Sequence, residues 1–193
     1  IQADVLVIGG GSAGMGAFRA ARKATDNVYI AEDYKFGTTC ARVGCMPSKL
    51  LIAAAEAAHH AKHTAQFGVH IDCDARVDGK EVMDRVRAER DRFVGFVVED
   101  VEAWPADKRL LGRAKFEDAH TVIVTNQAGE QTQVSAKRIV IATGSRPVVL
   151  PEWQALGERL IINDDVFSWE TLPKSVAVFG SGVIGLELGQ ALA

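Results

Sequence analysis

Residues 4–8 (DVLVI) form a short apolar run rich in β-branched residues, the pattern of a buried strand. The glycine-rich stretch GGGSAG follows directly. Residues 15–23, rich in Ala and Arg, predict a helix, and residues 28–31 predict a second short strand. Strand, glycine-rich turn, helix and strand in that order make a βαβ unit, which implies a parallel sheet. Residues 47–63, rich in Ala and Leu, predict one long helix. Over residues 80–104, Val82, Val86, Phe93, Val97 and Val101 fall largely along one helical face with charges opposite. The dense charges from Arg85 to Arg92 read as a solvated face. Residues 109–116, 121–125 and 134–141 alternate or run apolar like strands, the last two joined through a turn at Ala128-Gly129. A linker with Pro147 and Pro151 and a polar turn around Asn163 follow. Residues 176–179 predict another strand, leading into a second glycine-rich turn and a helix.

That last helix reaches Ala193 with no Gly, Asn or Pro stop signal, and the returning strand of a βαβ unit is absent. The pattern therefore predicts an α/β chain in two parts. Residues 1–147 form a first nucleotide-binding domain; residues 148–193 form a linker and the beginning of a second, interrupted inside it.

Composition narrows the function classes. Of the 193 residues 48% are hydrophobic, enough for a sizeable core, and the net charge is only −3. No basic stripe of the kind a nucleic-acid binder carries is visible. No apolar run approaches the ~18 residues of a membrane span. The chain opens on Ile1 and enters a strand at once, with no visible signal peptide, so a cytoplasmic setting is expected. Three cysteines are too few for a disulfide-stapled secreted scaffold. In a cytosolic protein a close cysteine pair points to redox or metal chemistry.

Two glycine fingerprints carry the first chemistry. In Gly9-x-Gly11-x-x-Gly14, Gly9 allows a tight turn, Gly11 lets the backbone approach a pyrophosphate, and Gly14 lets helix and strand pack closely. Ser12 and Ala13, with the helix N-terminus, present free N–H groups to the phosphates. Glu32 ends the second strand, where a carboxylate accepts hydrogen bonds from ribose hydroxyls. Gly180-x-Gly182-x-x-Gly185 repeats the pattern after the later strand. Two such sites imply two dinucleotides, as in a flavin enzyme exchanging hydride with a nicotinamide. The fold expected is a Rossmann-like dinucleotide-binding domain, three-layered around a parallel sheet, followed by the start of a second; the family resemblance described below implies FAD for the first and NAD for the second.

The third segment is Cys40-Ala-Arg-Val-Gly-Cys45-Met-Pro-Ser-Lys49. Two cysteines five apart on a regular helix lie about 7.5 Å apart along its axis, beyond the ~6.8 Å usual for disulfide Cα atoms. If paired, they need a distorted helix entry, which Gly44 would supply. Pro47 suits a first helical turn, and a thiolate near a helix N-terminus is favoured electrostatically. Two unrelated cysteines, or a metal site, are the other readings of the same spacing.

With its neighbours, TCARVGCMPSK resembles the active-site signature of the dihydrolipoamide dehydrogenase, glutathione reductase and mercuric reductase family. The resemblance extends over the chain, through the first fingerprint, Glu32, the Ala142-Thr143-Gly144 motif and the second fingerprint with Glu187. It implies that Cys40 and Cys45 form a redox disulfide, Cys40 as the thiol exchanging with substrate and Cys45 as the thiolate against the flavin. It further implies Lys49 beside the flavin with Glu187 as its acidic partner, and FAD contacts at Thr39, Ala114, Thr143 and Gly144. Ser48 resembles lipoamide dehydrogenases and mercuric reductases, and Gly185 resembles NAD-using members. Soluble transhydrogenases resemble the chain elsewhere but lack the cysteine pair.

Two positions depart from the family pattern. Thr38 stands where relatives usually have Gly, and Arg42 where they usually have Asn. Thr38 bears on backbone approach to FAD, and Arg42 on redox poise. Cys73 reads as an ordinary unpaired thiol, Trp153 and Trp169 as packing residues. His59 and His63 share a helix face, but with no completed zinc set they read, with His60, as a solvated helix end.

The resemblance implies a homodimeric enzyme passing electrons from a small-molecule or lipoyl-domain dithiol through Cys40–Cys45 and FAD to NAD, with no resident metal. A mercuric or low-molecular-weight disulfide reductase, and a non-catalytic flavin-binding redox module, are the alternatives. In relatives a C-terminal domain supplies the acid/base pair, so this stretch alone is expected to be inactive.

Overall fold

A computed structural model describes residues 1–73 and 75–193. The chain forms two compact units: Ile1–Cys40 with Val94–Arg146, and Ala41–Phe93 with Pro147–Ala193.

The first unit holds a six-stranded sheet in the order β3-β2-β1-β6-β5-β4. Its strands are β1 (Gln2–Ile8), β2 (Val28–Glu32), β3 (Arg109–Leu111), β4 (Arg113–Phe116), β5 (Thr121–Thr125) and β6 (Gln131–Ile141). Helix α1 (Ser12–Arg22) joins β1 to β2, which pair in parallel, as the βαβ reading requires. β6 also runs parallel to β1, while its first half pairs antiparallel with β5. Ser135 is where the two ladders meet, opposite Gln2 on one side and Thr121 on the other. The sheet is thus parallel where the nucleotide fingerprint lies and antiparallel at its far edge.

Alternate residues of β1 go to opposite cores. Leu6 and Ile8 join Ala31, Val122, Val124 and Val134, while Val7 joins Met15, Phe18, Val28, Ile30 and Val101. The strand expected to be buried is thus buried on both faces, which period-2 side-chain alternation produces. Fully burying each such side chain is worth about 1.5–3 kcal/mol.

The single strand expected over residues 109–116 is instead two. Gly112 ends β3 and donates its N–H to Glu32 O at 2.9 Å. A Cβ there would fall 2.6 Å from Thr125 O, so only glycine lets the chain pass from β2's side to β5's.

The second unit contains α3 (Cys45–Lys62), which follows the one-turn helix α2 (Thr39–Val43), and the N-terminal part of α4 (Gly79–Glu102). α5 (Val183–Leu192) and three 3-10 turns, Thr64–Phe67, Pro151–Arg159 and Asn163–Ser168, complete it. Its core is Leu51, Met83, Val86, Val166, Phe167 and Leu188. Trp169 packs on that core, and Trp153 against Phe179 with centroids 5.3 Å apart.

Two arginines of α4, Arg87 and Arg90, depart from the expected solvated face, while Arg85 keeps to it. Arg85 donates to Leu50 O at 3.2 Å, Arg90 to Phe167 O at 2.9 Å, and Arg87 to Trp169 O. The turn at 163–169 leaves carbonyls without helical or sheet partners, and a long guanidinium reaches them while its stem packs on the core.

Residues 176–179 are also not a strand: among the described residues no strand pairs with them, and Val178 and Phe179 are exposed. A strand is defined by its ladder, so an apolar run without a partner strand does not become one. Among the described residues no helix is long and apolar enough to cross a membrane.

Candidate functional site

The first fingerprint sits at the C-terminal end of β1, where a parallel sheet opens to a ligand. Gly9 takes φ +104°, a left-handed conformation, and a Cβ on it would lie 2.2 Å from Ala142 O. The end of β6 therefore closes directly on this turn, and Ala142 donates its N–H to Ile8 O at 2.7 Å. A Cβ on Gly14 would lie 1.7 Å from Gly9 O, so α1 presses on the turn with no room for a side chain. Around Gly11 nothing lies within 4 Å of a built Cβ. The middle glycine faces open space while its neighbours are packed shut.

α1 starts from Gly11 with no side-chain cap, and its first turn has no acidic residue. Its leading N–H groups, including those of Ser12 and Ala13, therefore have no carboxylate competing for them. Such a terminus carries a partial positive charge suited to a phosphate.

Glu32 ends β2 as the pattern requires, and its carboxylate is already oriented. Oε2 accepts from Gly10 N–H at 2.5 Å and Oε1 from Tyr34 N–H at 3.3 Å. A Cβ on Gly10 would meet the Phe36 ring at 2.6 Å and Glu32 Oε2 at 3.0 Å. The fingerprint leaves that position open to any residue, so sequence reasoning passed over both Gly10 and Phe36. The third consecutive glycine was the signal available.

The second fingerprint has the same steric logic. A Cβ on Gly185 would lie 2.3 Å from Gly180 O, while Gly182 has nothing within 4 Å. α5 starts from Gly182 uncapped and without an acidic first turn.

The cysteine segment forms a broken helix entry. Cys40 lies in α2, and Cys45 is the first residue of α3. Gly44 interrupts the helix at φ −130°, ψ −120°. The break falls at the residue expected to supply it. Cys45 is exposed and Cys40 half-buried. Pro47 is the third residue of α3 and buried, where its missing N–H costs no helical bond. Thr39 begins α2. Just before it, Thr38 adopts φ +56°, a region that a β-branched residue enters only at a cost of about 1–2 kcal/mol. The family's usual glycine there would carry no such cost.

Lys49 lies one helical turn beyond Cys45, and its Nζ donates to Glu187 Oε1 of α5. Both belong to the second unit. Leu51 and Leu188, close neighbours of the pair in sequence, meet in that unit's core. Ala114 sits half-buried in β4, against the first unit's core. Thr143 and Gly144 follow the end of β6 and are exposed. The structure thus brings together the residues of each fingerprint, Glu32 with Gly10, and Lys49 with Glu187.

Comparison with known proteins agrees with this assembly. A family profile described as pyridine nucleotide-disulphide oxidoreductase matches residues 3–193. A dihydrolipoyl dehydrogenase of Geobacillus stearothermophilus is 34% identical, covering 100% of this chain and 40% of the relative. That of Haemophilus influenzae is 32% identical, covering 98% of this chain and 39% of the relative. Among solved structures, a Cu(II) complex of the HOCl-induced flavoprotein disulfide reductase RclA from Escherichia coli superposes with a TM-score of 0.78 at 21% identity. It covers 100% of this chain and 40% of that one, a likeness of fold. The chain spans about two fifths of the length of the curated relatives it matches. With the family profile covering nearly its whole length, the chain belongs to the pyridine nucleotide-disulphide oxidoreductase family.

Proposed function

We propose that the protein is a flavoprotein disulfide oxidoreductase that oxidises a dihydrolipoamide-type dithiol and passes the electrons through Cys40 and Cys45 to FAD and NAD⁺. The observation that carries this reading is the Lys49–Glu187 ion pair. It joins the cysteine-bearing helix to the helix of the second fingerprint.

The residues present fit an FAD. Gly11 has the open space a pyrophosphate backbone contact needs, α1 offers uncapped N–H groups, and Glu32 ends β2, from where a carboxylate would accept from ribose hydroxyls. Thr39, Ala114, Thr143 and Gly144 are further contacts by family resemblance. Gly180, Gly182 and Gly185 would hold the nicotinamide dinucleotide in the same manner. In this reading residues 1–147 belong to the FAD-binding part and residues 148–193 to a linker and the start of the NAD-binding part.

The chemistry of the chain's own residues is thiol–disulfide exchange. A substrate thiolate attacks Cys40 Sγ, the Cys40–Cys45 bond breaks, and Cys45 leaves as a thiolate. The second substrate sulfur then attacks the mixed disulfide, closes the substrate disulfide and frees Cys40 as a thiol. The substrate loses two electrons and two protons, the cysteine pair gains the electrons, and Cys40 keeps one proton while the other is released. Cys45, at the first position of α3, has its thiolate favoured by the helix terminus. An FAD held by Gly11, the start of α1 and Glu32 would supply the two-electron acceptor between the cysteine pair and NAD⁺. Lys49 supplies positive charge where negative charge grows, and Glu187 fixes its position. The intact protein in this reading is a cytoplasmic homodimer.

The test is to mix full-length protein with dihydrolipoamide and NAD⁺ and follow NADH. Rapid NADH formation that Cys40→Ser abolishes is the expected result. A protein that retains FAD yet forms no NADH would overturn the dithiol assignment and move the substrate to another disulfide or to mercuric ion.

A further inference from the structure

In the first unit three strands stand side by side in the order β3-β2-β1, parallel to one another, so their C-terminal ends form a row. β1 leads into the glycine fingerprint, where Gly11 stands open and α1 starts uncapped, a fit for a pyrophosphate. β2 ends at Glu32, whose carboxylate oxygens accept from the N–H groups of Gly10 and Tyr34. A carboxylate has about four lone-pair sites, so acceptors remain for ribose hydroxyls. β3 ends at Leu111, the ladder partner of Glu32. Ladder partners on adjacent strands direct their side chains to the same face of a sheet, so Leu111 lies on the Glu32 side.

An adenosine phosphate has its parts in the same sequence. The phosphate leaves the ribose through C5′ and the base leaves from C1′, on opposite sides of the ring oxygen. A ribose held with its phosphates toward β1 therefore directs its base away from β1. Adjacent strands are ~4.8 Å apart; with the pyrophosphate at the end of β1 and the ribose at the end of β2, the base comes to the end of β3. The side chains there are apolar and open. Leu111 is 55% exposed, and Tyr34, two residues beyond β2, is 67% exposed. The bond from Tyr34 N–H to Glu32 holds that residue at the carboxylate. The Lys35 ammonium lies 4.7 Å from the Tyr34 ring centroid, so it covers one face of the ring and leaves the other to solvent. Exposed apolar side chains scattered singly are ordinary. Two beside one carboxylate, at the end of a parallel sheet where ligands bind, call for a ligand with an apolar face.

We propose that Leu111 and Tyr34 seat the adenine of the bound dinucleotide, Tyr34 by stacking and Leu111 by apolar contact. This rests on the FAD reading above and adds what holds the base, for which the fingerprint and Glu32 provide nothing. A base stacked on an aromatic side chain gains roughly 10-fold or more in affinity.

The test uses the full-length protein, stripped of flavin and titrated with FAD while flavin fluorescence is followed, and then with ADP as competitor. Parent, Tyr34→Ala, Tyr34→Phe and Leu111→Ser proteins are compared, with the fold of each checked by circular dichroism. Tyr34→Ala should bind both FAD and ADP roughly 10-fold more weakly, and Leu111→Ser about 5-fold more weakly. Tyr34→Phe keeps the ring face and should match the parent. Parent affinity for FAD in both Tyr34→Ala and Leu111→Ser would overturn the seat and leave the FAD reading standing. A loss for FAD with none for ADP would put the two residues at the flavin end and also overturn it. A parent protein that takes up no FAD would overturn the FAD reading and the seat with it.

Discussion

Lys49 and Glu187 are 138 residues apart in sequence, and the ammonium of one donates to the carboxylate of the other. Both side chains keep solvent access, 63% for Lys49 and 36% for Glu187. An exposed ion pair contributes only about 0–1 kcal/mol to folding, so stability is a poor explanation for holding this one. In the proposed function its use is to fix a cation one turn beyond Cys45. Glu187→Gln is therefore expected to leave the denaturant midpoint nearly unmoved. The same change should slow substrate-driven flavin reduction roughly 10²-fold, as read by stopped-flow absorbance. A variant that unfolds early but reduces its flavin at the parent rate would make the pair a structural tie.

The glycines of the first fingerprint separate folding from binding. Gly11→Ala adds a methyl group where nothing lies within 4 Å. Thermal unfolding of the flavin-free protein should not change, while FAD retention is lost because the methyl occupies the approach to the pyrophosphate. Gly14→Ala adds a methyl 1.7 Å from Gly9 O, and should lower both stability and FAD retention. Equal losses of stability in the two variants would remove the distinction.

Arg90 carries a burden its sequence context conceals. Its side chain is 17% exposed and donates to Phe167 O, at the edge of the core that includes Leu51 and Leu188. Arg90→Ala leaves that carbonyl without this donor and should cost about 1–3 kcal/mol. Arg92, paired with Glu89 on the exposed side of the same helix, should cost about 0.5 kcal/mol or less when replaced by Ala. Urea unfolding of the two variants checks the contrast, and equal midpoints would return Arg90 to the solvated face.

Asp4, in the interior strand β1, makes the sheet sensitive to acid. Lys137 and Thr25 both hydrogen-bond its carboxylate, at 2.7 Å each, and hold it below the ordinary carboxylate range, the Lys137 bond being the larger cause. A depressed folded-state value means the contribution is fully present above the unfolded value of about 3.9. It is lost as pH falls through the lower, folded value. Asp4→Asn should remove part of the acid limb of the stability profile and leave the neutral region's slope unchanged. An unaltered acid limb would mean that the pair does not persist in solution.

Much of the fold was legible because short-range patterns determine it. DVLVI buries both of its faces and is β1 in the structure; the glycine spacing needs a turn between strand and helix and has one. Gly44 breaks the helix between the two cysteines, as a close approach of Cys40 and Cys45 would require. These features depend on residues within a few positions of one another, where sterics and backbone hydrogen bonding act directly.

What the sequence alone determined, then, is the α/β order of elements, both glycine turns, the broken helix and the family that these motifs mark. The tertiary structure decided the rest. Residues 109–116 became two strands because Gly112 lies against Thr125, a neighbour distant in sequence. Residues 176–179 did not become a strand because no described strand lies beside them to complete a ladder. Arg87 and Arg90 serve carbonyls of Trp169 and Phe167, and the charge pattern of one helix cannot reveal carbonyls that another segment leaves unpaired. Gly10 is constrained by Phe36 and Glu32, neither within its own turn. In each case the deciding partner is distant in sequence, and only folding supplies it: local patterns fix where an element forms, and tertiary contacts fix what its side chains have to satisfy.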